Sequence, residues 1–298
     1  MNDAWSRNWA DAYASESDDD VESAEATRAR EEMEATYASP SASSEEKVEA
    51  LTSYYGYTVV GSIPPSSSPS LVAVGVVGAA LLAPCPDAKI VGTLWKDEGE
   101  GEGEEKEERT MAEWKDVAGK DDGLLAVFVE MGGGVGVVMG PAVGEEDLMA
   151  VGRVVVAGVG SGGLVCVCVE TERGYIEPSQ SVRDVPDASA QILYVLESGI
   201  ELNAGLEGVE EGKIKAYAPP NMVSGPLGGV MAQATLQALP MALAVALRPT
   251  YALESDSIYA LHPVLSFVGG DVGSVVKQEV VSILRLSPTD QAKHRLYL

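Results

Sequence analysis

Residues 226–247 read PLGGVMAQATLQALPMALAVAL, and their order decides the fold class. Pro226 stands where a first helical turn accepts proline, and the run to Leu239 stops at Pro240, which cannot continue a helix. Residues 241–247 (MALAVAL) follow at once as a continuous apolar run of strand length. A helix therefore feeds a strand that is covered on both faces.

Working outward, the same Val-rich pattern recurs at residues 71–77 (LVAVGVV), 88–95 (AKIVGTLW), 124–131 (LLAVFVEM), 135–139 and 164–170 (LVCVCVE). Helical segments alternate with these strands. Residues 145–157 (EEDLMAVGRVVVA) open on acidic residues suited to a helix N-terminus and carry an apolar stripe. Further helices are expected at 191–197, 257–267 and 271–286, the last with Val272, Val275, Val276, Val280, Ile283 and Leu284 near helical spacing. Alternation of this kind predicts an α/β fold, a single domain with a largely buried sheet flanked by helices.

No charged residue occurs from 216 to 247, a length that invites a membrane-spanning reading. Pro219, Pro220, Pro226 and Pro240 interrupt it, and Asn221, Gln233 and Gln237 would be costly in lipid, so a central helix and strand is the simpler account. With 46% hydrophobic residues the chain can bury one large core or two modest ones. Lys and Arg number 20 against 46 Asp and Glu, and the formal net charge of -26 argues against a nucleic-acid partner. Cys85, Cys166 and Cys168 form neither a paired framework nor a zinc-like CxxC, which fits a reducing compartment: the cytoplasm, with the nucleus as a second location. The first residues lack the basic start and apolar core of a secretory signal.

The domain plan follows from composition. Residues 1–52 are rich in Ser, Ala, Glu and Asp and read as an acidic disordered tail, with only a transient helix at 24–37. Residues 53–286 form the α/β domain, interrupted by an acidic insertion loop at 97–109 (DEGEGEGEEKEER). Residues 287–298 (SPTDQAKHRLYL) read as a flexible tail, since Pro288 discourages helix and nothing offers an apolar face.

Catalytic chemistry is hard to assemble from this sequence. Gly75 and Gly78 follow a strand but lack GxGxxG spacing, and Gly132, Gly133 and Gly134 precede no GK[ST], so both groups read as turns. His262 precedes Pro263 on a helix and reads as a packing residue, while His294 lies in the tail. Glu130, Glu170 and Asp184 have no partner converging by sequence. No catalytic, metal or cofactor residue is assigned. The end of the chain is different: Leu296, Tyr297 and Leu298 present a hydrophobic residue, an aromatic anchor and a carboxylate on a tether, a set suited to docking in a partner's pocket.

Pro220, Asn221 and Val223, then Pro240, then Pro263, Val264 and Leu265, resemble the proteasome assembly chaperone 1 family. In that family a "PN-V" stretch introduces a helix, a proline separates it from a strand of small apolar residues, and a second helix carries a proline followed by an aliphatic pair. Residues 71–77, with Leu94 and Trp95, are similar to its N-terminal half, and the terminal hydrophobic-Tyr-X motif falls on Leu296, Tyr297 and Leu298. The likeness runs from about residue 57 to 298 and is best after Pro219, while the acidic block at 97–109 and the glycine-heavy stretch at 132–163 depart from it.

The resemblance implies a non-catalytic chaperone without cofactors, paired with proteasome assembly chaperone 2 and bound to the α-subunit ring of the proteasome core particle. Its tail would enter a pocket between neighbouring α subunits, with Leu298 supplying the carboxylate that a pocket lysine neutralises. No nucleic acid and no membrane enter this picture. The competing class is an α/β enzyme or nucleotide-binding protein that uses the glycine-rich loops, and convergent polar groups in a pocket would mark it.

Overall fold

The computed structural model describes residues 24–64, 66–97, 111–118, 123–140, 143–171, 192–206, 209, 213–218, 221–248, 253–270 and 277–286. Its centre is a set of parallel strands whose side chains alternate between two cores. In β2 (Ser70–Val74), Leu71 and Ala73 enter one core and Val72 the other. In β6 (Leu164–Thr171), Val165 and Val167 oppose Leu164 and Cys166, and in β9 (Met241–Arg248) Ala242, Ala244 and Ala246 oppose Leu243 and Val245. Period-two alternation with both faces apolar is what a sheet between two helical layers requires.

Nine strands form one mixed sheet. β1 (Tyr57–Gly61) is the outer edge, followed by β3 (Lys89–Lys96), β4 (Leu124–Met131), β5 (Gly134–Met139), β2, β6, β9, β7 (Leu193–Ser198) and β8 (Ile214–Ala216). The β5, β2, β6 and β9 strands are parallel, whereas β1, β3, β4 and β5 pair antiparallel in turn, and β7 runs antiparallel to β9. One face carries α3 (Gly75–Leu82), α4 (Trp114–Ala118), α6 (Leu202–Gly205), α8 (Ser255–Tyr259), α9 (His262–Phe267) and α10 (Lys277–Leu286). The other carries α1 (Ala24–Ala38), α2 (Ser44–Tyr55), α5 (Leu148–Val159) and α7 (Gly225–Leu236).

This is the expected α/β sheet flanked by helices, with corrections in detail. Of residues 24–52, expected to be disordered, 24–38 and 44–52 belong to α1 and α2. Ser43 and Glu46 form a reciprocal capping box, Gly56 closes α2 in the left-handed conformation at φ 66°, and Met33, Val48 and Leu51 are buried. Three apolar anchors suffice because α2 packs on α5, and Arg153 of α5 donates to the Tyr55 hydroxyl at 3.1 Å.

Residues 193–197, expected as helix, are strand: β7 lies antiparallel on β9, and the neighbour decides an apolar run too short to show its own period. The strand expected at 71–77 ends at Val74, because Gly75 at φ 49° turns the chain into α3. The helix expected at 257–267 is broken between Tyr259 and His262, where Pro263 opens a new first turn. Of the acidic insertion only Asp97 is described, and residues 287–298 lie outside the described residues.

Candidate docking surface

The predicted tip residues Leu296, Tyr297 and Leu298 fall outside the described residues, as do Asp184 and His294. The last described helix, α10, buries Val280 and Ile283 and packs on α3 and α4. From Leu286 twelve residues remain to Leu298, a contour of roughly 40 Å when extended.

The most distinctive surface on the described body belongs to the opposite helical layer. Helices α5 and α7 cross closely because glycine meets backbone on both sides. A Cβ at Gly229 would lie 2.6 Å from the Leu148 carbonyl oxygen, and one at Gly152 would lie 2.9 Å from that of Gly229. Leu227, Val230 and Ala234 of α7 are buried inward, while Ala232, Thr235 and Leu236 face out. Leu236 is 72% exposed, Met222 just before the helix 84%, and Met149 on the neighbouring α5 45%. The Gln233 amide reaches the Met149 sulfur at 3.9 Å, joining the two helices at this surface. Since residues 216–247 hold no charge, the exposed side of α7 is uncharged on a chain of net charge -26. Methionine enrichment with charge depletion is the composition of an interface core.

The glycines and acids considered for catalysis are used otherwise. Gly78 packs α3 on the sheet, where an added Cβ would meet Val138 Cγ1 at 2.5 Å, and Val76 and Val77 occupy the helix's first turn. A helix does start at Gly75, contrary to the reading of Gly75 and Gly78 as a turn, whereas Gly132 and Gly133 do form the turn between β4 and β5. Glu130 is exposed. Burial pushes the Glu170 carboxyl above its usual range, and the Tyr217 hydroxyl beside it acts in the opposite sense. Burial lowers the pKa of His262, whose ring stands edge-on to Tyr259 at 4.9 Å. Burial also raises the Cys166 thiol to about 12, which suppresses thiolate chemistry. Among the described residues no group of three or more His, Cys, Asp and Glu could hold a metal, and no helix is long and apolar enough to cross a membrane.

One polar cluster was not foreseen. Asp147, at the N-terminus of α5, accepts from the Tyr57 hydroxyl at 2.8 Å and from Lys96 Nζ at 2.6 Å, so both carboxylate oxygens are engaged. Burial first, and the hydrogen bond to Asp147 second, push the Tyr57 pKa up; Lys96 is raised first by its own hydrogen bond to Asp147. The cluster straps the β1–β3 edge to α5. An aspartate just ahead of a helical stripe was its only sequence signal.

No protein-family model matches the chain, and no curated protein does. Solved structures do match in fold. Pyrococcus furiosus PbaA, described as an archaeal homolog of proteasome-assembly chaperone, is 10% identical, with a TM-score of 0.51 over 81% of this chain and 100% of that one. The fold is shared with PbaA. A Thermoplasma acidophilum protein of unknown function is 7% identical, with a TM-score of 0.50 over 85% of this chain and 94% of that one. Pyrococcus furiosus PbaB, described as an archaeal proteasome activator, is 12% identical, with a TM-score of 0.48 over 82% of this chain and 100% of that one.

Proposed function

We propose that this chain is a proteasome assembly chaperone that pairs with assembly chaperone 2, binds the α-subunit ring of the core particle and docks its terminal Leu296, Tyr297 and Leu298 into a pocket between α subunits. The observation that carries this reading is the exposed, uncharged face of α7 with Met149 and Met222. The fold shared with PbaA and the resemblance of residues 219–265 to the chaperone 1 family support it. In this reading the α7 face takes the chaperone partner and the tail takes the ring. A tripeptide docks weakly by itself, so the tether and the second surface raise its effective concentration.

The test is a pull-down with the full chain and two variants. The wild type should recover α subunits and a second chaperone of similar size, without mature proteolytic activity. Leu236→Glu should lose the chaperone partner while melting as the wild type does, since Leu236 faces out. Tyr297→Ala should keep the partner and weaken ring binding roughly thirtyfold, the effect of losing an anchor worth about 2 kcal/mol. Unchanged recovery of both partners by both variants would refute the reading.

A further inference from the structure

The outer edge of β1, the end of the sheet among the described strands, carries a second surface, distinct from α7 and from residues 287–298. Ser62 N donates to Val91 O and Asp97 N donates to Gly56 O, at opposite ends of the β1–β3 ladder. With Thr58 opposite Trp95 and Val60 opposite Thr93, antiparallel alternation turns the N–H and C=O of Thr58 and Val60 inward to β3. Those of Tyr57, Val59 and Gly61 then point off the sheet. No described strand lies beyond β1. Its sequence, YTVVG, holds neither the lysine nor the proline with which edge strands are commonly blunted.

A groove runs beside these outward groups. Val48, Val59 and Ile63 supply its apolar lining, with Gly61, Ser62 and Gly158, while Ser44 and Glu45 complete it at the start of α2. Its volume is about 190 Å³, below the roughly 300–1,000 Å³ of small-molecule pockets and suited to a side chain or two. Glu45 is exposed; Glu46 and Glu49 on the same helix outnumber Lys47, and Asp97 accepts from the Thr58 hydroxyl at the other end of the strand.

We infer that β1 accepts an extended peptide of a partner protein as a tenth strand, with an apolar side chain in the groove and flanking Lys or Arg toward Glu45. Backbone pairing supplies the affinity and the groove and the acidic rim supply the selectivity. A second copy of this chain is disfavoured as occupant, because pairing β1 with β1 would bring two acidic α2 helices together.

The experiment titrates the full chain with a blocked octapeptide alternating lysine and valine. Controls are the same peptide with glutamate for lysine and one N-methylated at alternate residues. The Lys-Val peptide should bind and slow amide exchange at Val59 and Gly61, and both controls should fail. Val59→Pro removes one outward N–H at a position where an edge strand tolerates proline, and should weaken binding by about tenfold or more. Glu45→Lys, an exposed change whose fold is checked by its melting curve, should do likewise. Equal binding of the N-methylated peptide, no binding at millimolar peptide, or no response to Glu45→Lys would overturn the proposal. So would self-association that Val59→Pro abolishes, since that would assign the edge to a second copy.

Discussion

Gly229→Ala tests the α5–α7 crossing by the sign of its effect. In a helix interior, alanine for glycine gains about 0.5–1 kcal/mol from reduced backbone entropy, so local propensity predicts a more stable protein. At this position the new methyl would sit 2.6 Å from the Leu148 carbonyl oxygen and 3.1 Å from its carbon. That oxygen belongs to the first turn of α5 and cannot swing aside as a side chain would, so α7 must lift. Overpacking typically costs about 1–3 kcal/mol, and against unyielding backbone the upper half of that range applies. The net is a loss of about 1–2.5 kcal/mol, or a Tm lower by roughly 2–10 °C on the scale of domains somewhat smaller than this one. Calorimetry or thermal circular dichroism reads it. Gly152→Ala should cost similarly, and the double variant less than the sum, since one displacement opens space for both methyl groups. A Tm for Gly229→Ala at or above the wild type would refute the backbone contact, and with it the geometry that holds Met149 beside α7.

Leu51→Ala should destabilise the whole domain by about 2–5 kcal/mol in denaturant titration, because Leu51 is fully buried where α2 meets the sheet; a loss under about 1 kcal/mol would mean that α2 does not dock. Glu170→Gln should raise Tm at pH 7 and lose that advantage in acid. The folded carboxyl has a pKa raised above its ordinary value of 4.5, so the native state binds more protons than the unfolded one and stability falls as pH rises through the raised pKa. An advantage that persists or grows toward pH 4 would show that Glu170 is not desolvated.

The sheet was readable wherever burial on both faces left only one pattern. Residues 124–129, 164–169 and 241–247 are apolar throughout because helices cover both sides, and a continuous run bounded by Pro, Gly or polar residues then has few alternatives. The N-terminal helices failed for the opposite reason. Their hold on the body comes from Met33, Val48 and Leu51 among acidic and small residues, so composition resembles a solvated tail although Ser43 and Glu46 already spell a capping box. Residues 193–197 failed because the pairing that defines β7 belongs to β9, far along the chain. β1 and β8 are short edges whose identity rests on their neighbours in the same way.

The candidate surfaces divide along a similar line. Leu296, Tyr297 and Leu298 are legible as chemistry because an aromatic ring and a carboxylate have their character in any setting. The α7 face is legible only as an absence of charge from 216 to 247, and that absence reads alike for a core helix, a lipid-facing one and a protein interface. Length removes the lipid: twelve helical residues span about 18 Å against the roughly 30 Å of a bilayer core. Burial of Leu227 and Val230 with exposure of Met222 and Leu236 removes the fully buried helix. An uncharged helix half in the core and half at the surface satisfies the fold with its inner half alone, so the fold gives no reason for the outer half to lack charge. On the proposed reading, a partner that covers it does.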